Sequence, residues 1–327
     1  MVIAKVIGHT RAKRVLQNAM TENRVAHAYL FHGPAGTGKT TLARAFAGAL
    51  LCRQGTGDAC GKCSVCHRVN EGQFPDFFVL HPAGNNIKID QIRELQRKAQ
   101  FKPYEADRKI YLISQAESMT RDAANCLLKV LEEPPPDTFF LLTAVNQHKL
   151  PPTIVSRCQL IPIGKVPLDQ IKQMLVEDIG VGPEMAALYA SLSDGLPGVA
   201  REMAESGKNL QVRELVFYLV EQIEENDING LLKTAEEFEK KKDVLNQVLE
   251  QLLLWYRDQL IWVQTGEEKL IINIDKLNKL KNCSTAAGRD YLVKSITNIL
   301  EAKSQIEQNV NLRLTLEVLL IRLSRTA

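Results

Sequence analysis

The chain predicts a parallel α/β domain built around a phosphate-binding loop, with a cysteine-rich module inserted in it and an all-helical region after it. Three observations carry that reading. Gly33-Pro34-Ala35-Gly36-Thr37-Gly38-Lys39-Thr40 is a complete P-loop, placed between the apolar run Ala28-Tyr29-Leu30-Phe31 and a segment with helical apolar spacing at Leu42, Ala45, Phe46 and Ala49. Short apolar runs then alternate with helically spaced segments as far as Pro162, the pattern of a sheet whose strands are joined by helices. From about Gln211 no strand pattern survives, and the chain reads as long amphipathic helices.

The bulk numbers suit this plan. At ~100–200 residues per domain, 327 residues make two or three domains. Hydrophobic residues at 45% and charged residues at 24% describe a globular protein rather than a disordered one. A net charge of +3 is too small for a global field, so any nucleic-acid contact must come from a local basic surface. Met1-Val2-Ile3-Ala4-Lys5 lacks a signal-peptide layout, and no apolar run approaches the ~18–20 residues of a membrane span. The expected location is the cytoplasm, with no membrane partner.

The opening segment, with Val15, Leu16 and Ala19 at helical spacing, predicts a helix before the first strand. Ile7-Gly8 lies where many P-loop ATPases pack the adenine, although a simple turn accounts for it equally well. In the P-loop itself, glycines let backbone N–H groups face a phosphate, Lys39 can reach the β- and γ-phosphates, and the Thr40 hydroxyl can hold Mg²⁺ at the helix N-terminus. ATP or ADP with Mg²⁺ is the expected ligand. Hydrolysis is a separate matter, because it also needs carboxylates and usually an arginine.

Cys52 follows the P-loop helix, and seven residues later comes Cys60-Gly61-Lys62-Cys63-Ser64-Val65-Cys66. Two successive CxxC steps supply thiolates from tight turns, and with Cys52 they make four ligands for a closed, structural Zn²⁺ site. Cys52, at the end of the preceding helix, can be the fourth ligand, and His67 is a weaker candidate. An iron–sulfur cluster also takes cysteines, but the Cys-Pro of the bacterial cluster runs is missing.

Phe77-Phe78-Val79-Leu80 reads as a second strand, and Asp90 to Leu95 as the start of a helix with Asp90 as its N-cap. Arg93, Arg97, Lys98 and Lys102 make that helix basic, which fits a solvated face better than a DNA contact. Lys109 to Ile113 is a continuous apolar strand, as in a sheet buried on both faces. The two positions after it, usually acidic in P-loop ATPases, are Ser114 and Gln115, and Glu117 is expected to point elsewhere. A helix through Thr120–Glu133 ends at Pro134-Pro135-Pro136, and Thr138 to Thr143 is the next strand. Pro151 to Cys158 leads into a last short strand, Gln159 to Pro162. Cys126, Cys158 and Cys283 are read as small buried apolar residues. Trp255 and Trp262, seven apart, are read as packing residues of the helical region, and Leu312, Leu316, Leu319, Leu320 and Leu323 as the apolar face of its last helix.

The pattern Ala124-Asn125-Cys126-Leu127-Leu128-Lys129 with Leu131-Glu132-Glu133-Pro134, followed by Ser156-Arg157-Cys158, resembles the clamp-loader branch of the AAA+ ATPases, which serves the bacterial DNA polymerase III holoenzyme. The cysteine insertion is similar to that of the bacterial subunits. The resemblance implies an AAA+ domain at 1–163 with the zinc module at 52–66, a small helical lid at 164–207 and an all-α collar at 208–327 through which subunits form a ring. It implies the tau/gamma and delta subunits, the sliding clamp and primer-template DNA as partners. It also implies that Arg157 acts in trans as an arginine finger on a neighbour's nucleotide. Ser114-Gln115, Ala144 at the sensor-1 position and Gly195-Leu196-Pro197-Gly198 at the sensor-2 position depart from the hydrolysing motors. They favour a non-hydrolysing subunit without polymerase activity of its own; a working tau/gamma-type ATPase is the alternative.

Overall fold

The computed structural model describes residues 2–54, 57–206, 208–239, 242–286, 288–308 and 310–324. The chain divides into two compact units, one of residues 1–178 and 193–200, the other of residues 179–192 and 201–327.

In the first unit α1 (Thr10–Thr21) precedes β1 (Ala28–His32), and α2 (Lys39–Leu51) and α3 (Ser64–Asn70) lead to β2 (Phe77–Leu80). Then follow α4 (Ile89–Ala99), β3 (Lys109–Ile113), α5 (Arg121–Glu132), β4 (Thr138–Ala144), the single turn α6 (Pro152–Val155) and β5 (Gln159–Pro162). The five strands form one parallel sheet in the order β2-β3-β4-β1-β5. β1 is therefore interior, with Leu30 in register with Leu142 on one side and Leu160 on the other.

Period-two alternation sends side chains to both faces. Tyr29, Phe31, Ile110, Leu112 and Leu141 pack under α1, α2 and α3, with Leu16, Leu42 and Phe46 above them. Ala28, Leu30, Tyr111, Ile113, Phe140 and Leu142 pack under α4 and α5, against Ile92, Leu95, Leu127 and Leu131. Burial on both faces is why these strands read as unbroken apolar runs. The unit continues into α7 (Leu168–Met174), a π-turn at Leu175–Ile179 and, after the excursion through residues 179–192, the segment Ser193–Ala200.

Asp90 is not the cap of α4. The N-cap is Lys88, whose backbone N–H donates to the Gln91 side chain at 3.1 Å, and Asp90 lies in the first turn beside Arg93. Its carboxylate still favours the positive helix end, but as a charge rather than a backbone acceptor. Lys98 pairs with Glu94 one turn earlier, so half of the basic row is matched on its own helix.

The second unit is helical: α8 (Pro183–Leu192), the later turns of α9 (Pro197–Ser206), α10 (Lys208–Glu225), α11 (Ile228–Glu239), α12 (Lys242–Thr265), α13 (Leu277–Ala286), α14 (Arg289–Glu307) and α15 (Leu312–Leu323). Trp255 is its largest fully buried side chain and meets Phe217 edge-on at 5.3 Å, while Trp262 lies at the margin of the same core. Leu316, Leu319, Leu320 and Leu323 are buried on one face of α15. Two buried charges tie the loops down: Arg213 pairs with Asp275 at 2.5 Å, and Asp258 accepts from the backbones of Ile272 and Asn273. Among the described residues no helix is long and apolar enough to cross a membrane.

Candidate nucleotide and metal sites

The P-loop leaves the C-terminal end of β1 and enters α2, the position where ligands bind in open parallel sheets. Its start is fixed by neighbours on both sides. The Gly33 N–H donates to the Ala144 carbonyl, and a Cβ on Gly33 would lie 1.9 Å from the Ile163 carbonyl oxygen, so only glycine fits. Gly38 takes φ 90° as the N-cap of α2, which turns the loop into the helix. Thr37 is fully buried and donates to the Pro34 carbonyl. Lys39 is buried, and its ammonium donates to the carbonyls of Gly33 and Pro34 at 2.7 Å each. Burial pulls this ammonium below its usual pKa, and the Glu117 carboxylate opposes the shift.

Two further segments touch the loop. His9, in left-handed conformation at the N-cap of α1, places Nε2 2.8 Å from the Thr37 carbonyl, which selects the tautomer with its proton on Nε2. Burial lowers the His9 pKa, partly offset by that hydrogen bond. Gly198, the last residue of the Gly195-Leu196-Pro197-Gly198 turn, donates its N–H to the Gly36 carbonyl at 2.8 Å. A Cβ on Gly198 would stand 3.0 Å from that same oxygen, so backbone meets backbone at this turn.

At the end of β3, Ser114 is buried and its hydroxyl has no partner among the described residues, and Gln115 is exposed in left-handed conformation. Glu117 lies on the turn that follows β3. The turn at Ala116–Ser118 brings its Oε1 to the Val145 N–H at 2.9 Å, and its buried Oε2 has no hydrogen-bond partner among the described residues. The chain turns sharply at Gln115, which takes left-handed backbone, so Glu117 lies off the line of β3.

The four cysteines converge. The sulfurs of Cys52, Cys60, Cys63 and Cys66 all lie within 4.8 Å of one another, and Cys60 and Cys66 are 3.9 Å apart. Tetrahedral Zn–S bonds of ~2.3 Å put sulfurs ~3.8 Å apart, so the set fits one ion and is too open for disulfides. Backbone N–H groups of Cys60, Cys63 and Cys66 donate to the sulfurs of Cys52, Cys60 and Cys63, as thiolates require. N–H groups of Lys62 and Cys63 bring the Cys60 thiol down to about 6, and burial pushes that of Cys66 up to about 12. His67 is exposed on α3 and outside the set. Asp58, in the same insertion, accepts from the N–H groups of Ile3 and Ala4 at 2.9 and 3.0 Å and so clips the N-terminal segment to the module.

Arg157 follows α6 and makes an ion pair with Glu132 of the Leu131-Glu132-Glu133 run, at 2.6 Å, while donating to the Thr153 carbonyl. The P-loop, the cysteine set and Arg157 are thus three separate places on the first unit. Cys126 and Cys283 are less inert than small apolar residues: their thiols donate to Gln96 and Glu224. Asp76, which no sequence pattern singles out, is fully buried and accepts from the N–H groups of Tyr104, Glu105 and Ala106.

Comparison with known proteins agrees with this geometry. A family profile described as "DNA polymerase III, delta subunit" matches residues 8–167, and one described as "DNA polymerase III, delta subunit, C terminal" matches residues 210–325. DNA polymerase III subunit delta' of Bacillus subtilis (strain 168) is 33% identical over 316 residues, 96% of this chain and 95% of the relative. The subunit of the same name from Pseudomonas aeruginosa is 32% identical, covering 91% of each chain. DNA polymerase III subunit tau of B. subtilis is 26% identical over 98% of this chain, but the match spans only 61% of that longer relative. With end-to-end similarity of this kind, the chain belongs to the DNA polymerase III subunit delta' family.

Proposed function

We propose that the chain is the delta'-type subunit of a clamp loader, an AAA+ member of the ring that opens the sliding clamp and places it on primed DNA, working beside tau/gamma and delta subunits. The observation that carries the reading is the combination at one sheet end: a complete P-loop next to Ser114 and Gln115, neither of which supplies a carboxylate. Such a site binds ATP or ADP through Lys39, Thr40 and the loop N–H groups without hydrolysing it. Bound Mg²⁺ would neutralise phosphate charge. Zn²⁺ on Cys52, Cys60, Cys63 and Cys66 holds the insertion and takes no part in chemistry, since four protein ligands leave no open position.

Residues 164–207 serve as lid and 208–327 as collar in this reading, and Arg157 is the finger offered to a neighbour's γ-phosphate. The tau/gamma-type motor is the competing reading, favoured only by the intact P-loop. The deciding experiment mixes the purified chain with tau/gamma and delta subunits, sizes the product, and compares the ATPase of the isolated chain with that of the assembly. One copy entering a ring, with no turnover alone, is the expected result. Robust turnover alone, abolished by Lys39→Ala, makes this chain a motor.

A further inference from the structure

Glu117 stands where the nucleotide reading leaves a gap. The strand-end positions that normally carry acids hold Ser114 and Gln115, and Gln115 turns its side chain to solvent. Two residues on, one oxygen of Glu117 is anchored by the Val145 N–H. The preceding carbonyl, Ala144, receives the N–H of Gly33, the first residue of the P-loop, and Gly33 in turn accepts from Lys39. One peptide unit of β4 therefore joins the Glu117 carboxylate to the loop. Among the described residues its second oxygen is buried without a partner, as is the Ser114 hydroxyl at the end of β3. Two orphaned buried oxygens beside a phosphate loop are costly unless something arrives to use them.

We propose that Glu117, acting from the turn after β3 rather than from the strand end, is the carboxylate that faces the divalent cation of a bound nucleoside di- or triphosphate, with Ser114 beside it. The proposal rests on the P-loop reading. Its chemistry is that of hard oxygen donors, which hold Mg²⁺ through one or two carboxylates with the remaining positions left to water and phosphate. The attraction between Glu117 and Lys39 is consistent with a carboxylate directed at the phosphate end of the loop. Gln115 cannot polarise an attacking water as a second acid would, so the arrangement secures the metal–nucleotide complex without promoting its hydrolysis. Glu117 is here a binding residue.

The test uses the zinc-loaded full chain. Glu117→Gln keeps an amide oxygen for the Val145 N–H and removes only the charge. Mn²⁺ replaces Mg²⁺ as a paramagnetic probe, titrated onto the protein–ADP complex and read by electron paramagnetic resonance, while a fluorescent ADP titration in EDTA measures metal-free nucleotide affinity. Glu117→Gln should weaken Mn²⁺ ~10–100-fold, the loss typical of removing a supporting ligand, and leave metal-free nucleotide affinity undiminished. Glu117→Asp, which keeps the charge on a shorter stem, should recover part of the loss. Unchanged Mn²⁺ affinity in Glu117→Gln, with Lys39→Ala still abolishing nucleotide binding, overturns this proposal alone. A wild-type chain that binds no nucleotide overturns the P-loop reading, and this proposal with it.

Discussion

If Arg157 is a finger for a neighbouring site, it must leave Glu132 cheaply. The pair is short, 2.6 Å, but its side chains are 35% and 48% exposed, and solvent-screened pairs of this kind contribute ~0.2–1 kcal/mol. An arginine supplied in trans is worth ~10³–10⁵ in rate in other P-loop systems, or about 4–7 kcal/mol at ~1.4 kcal/mol per tenfold. Release from Glu132 therefore costs at most about a quarter of what the finger returns. Arg157→Ala should assemble normally and keep its zinc, and the site it serves should slow by ~10³ or more. Because other sites in the ring continue to turn over, DNA- and clamp-stimulated phosphate release by the whole complex falls by that one site's share. Glu132→Gln, which only frees the arginine, should stay within about fivefold of wild type, the factor that ~1 kcal/mol represents. The reasoning fails if a stoichiometric Arg157→Ala complex hydrolyses ATP and loads clamps at the wild-type rate.

Protein purified without added metal should contain one zinc per chain by elemental analysis, and Cys63→Ser should lose it and loosen residues 52–66 while far-ultraviolet helicity of the second unit persists; zinc near zero, or an iron–sulfur absorption band, refutes the assignment. Asp76→Ala removes three charge-assisted hydrogen bonds at a fully buried position, so urea denaturation should show a loss of ~3–5 kcal/mol, with Asp76→Asn losing roughly half as much; a change below ~1 kcal/mol would show that water replaces the carboxylate. His9 is held below its ordinary 6.5 by burial, so the unfolded chain binds the proton more readily, and its share of stability is present above pH 6.5 and lost as pH falls below it. Wild type should therefore lose more stability than His9→Gln between pH 7.5 and 5.5, and equal losses would remove His9 from the account.

The strands were legible because a parallel sheet with helices on both faces writes itself as short apolar runs: Phe77–Leu80 and residues 110–113 are such runs, and β3 adds only Lys109 at its start. The P-loop and the CxxC steps were legible because their ligands come from one local turn. What escaped was contact across distance. Asp58 grips residues 54 and 55 positions away, Asp76 gathers N–H groups 28 to 30 positions downstream, and Glu117 reaches Val145. A lone acidic residue in a loop carries no periodic signal to announce such a partner. Asp90 shows the converse, a helix-start residue of the right type two residues past the true cap, Lys88.

The interior place of β1 has a consequence during synthesis. Both of its partners, β4 and β5, lie more than a hundred residues downstream, and a ribosome adding ~5–20 residues per second takes roughly 5–20 s to deliver the first of them. Through that interval Tyr29, Leu30 and Phe31 have no sheet to enter, and the nascent strand is a sticky edge that a chaperone could shield. Gly33 has no Ala144 carbonyl to hold it either, so nucleotide cannot nucleate the domain and can only reward a finished one. The cysteine module is the reverse: its ligands emerge within one short stretch, and metal can close it while the rest of the sheet is still unmade.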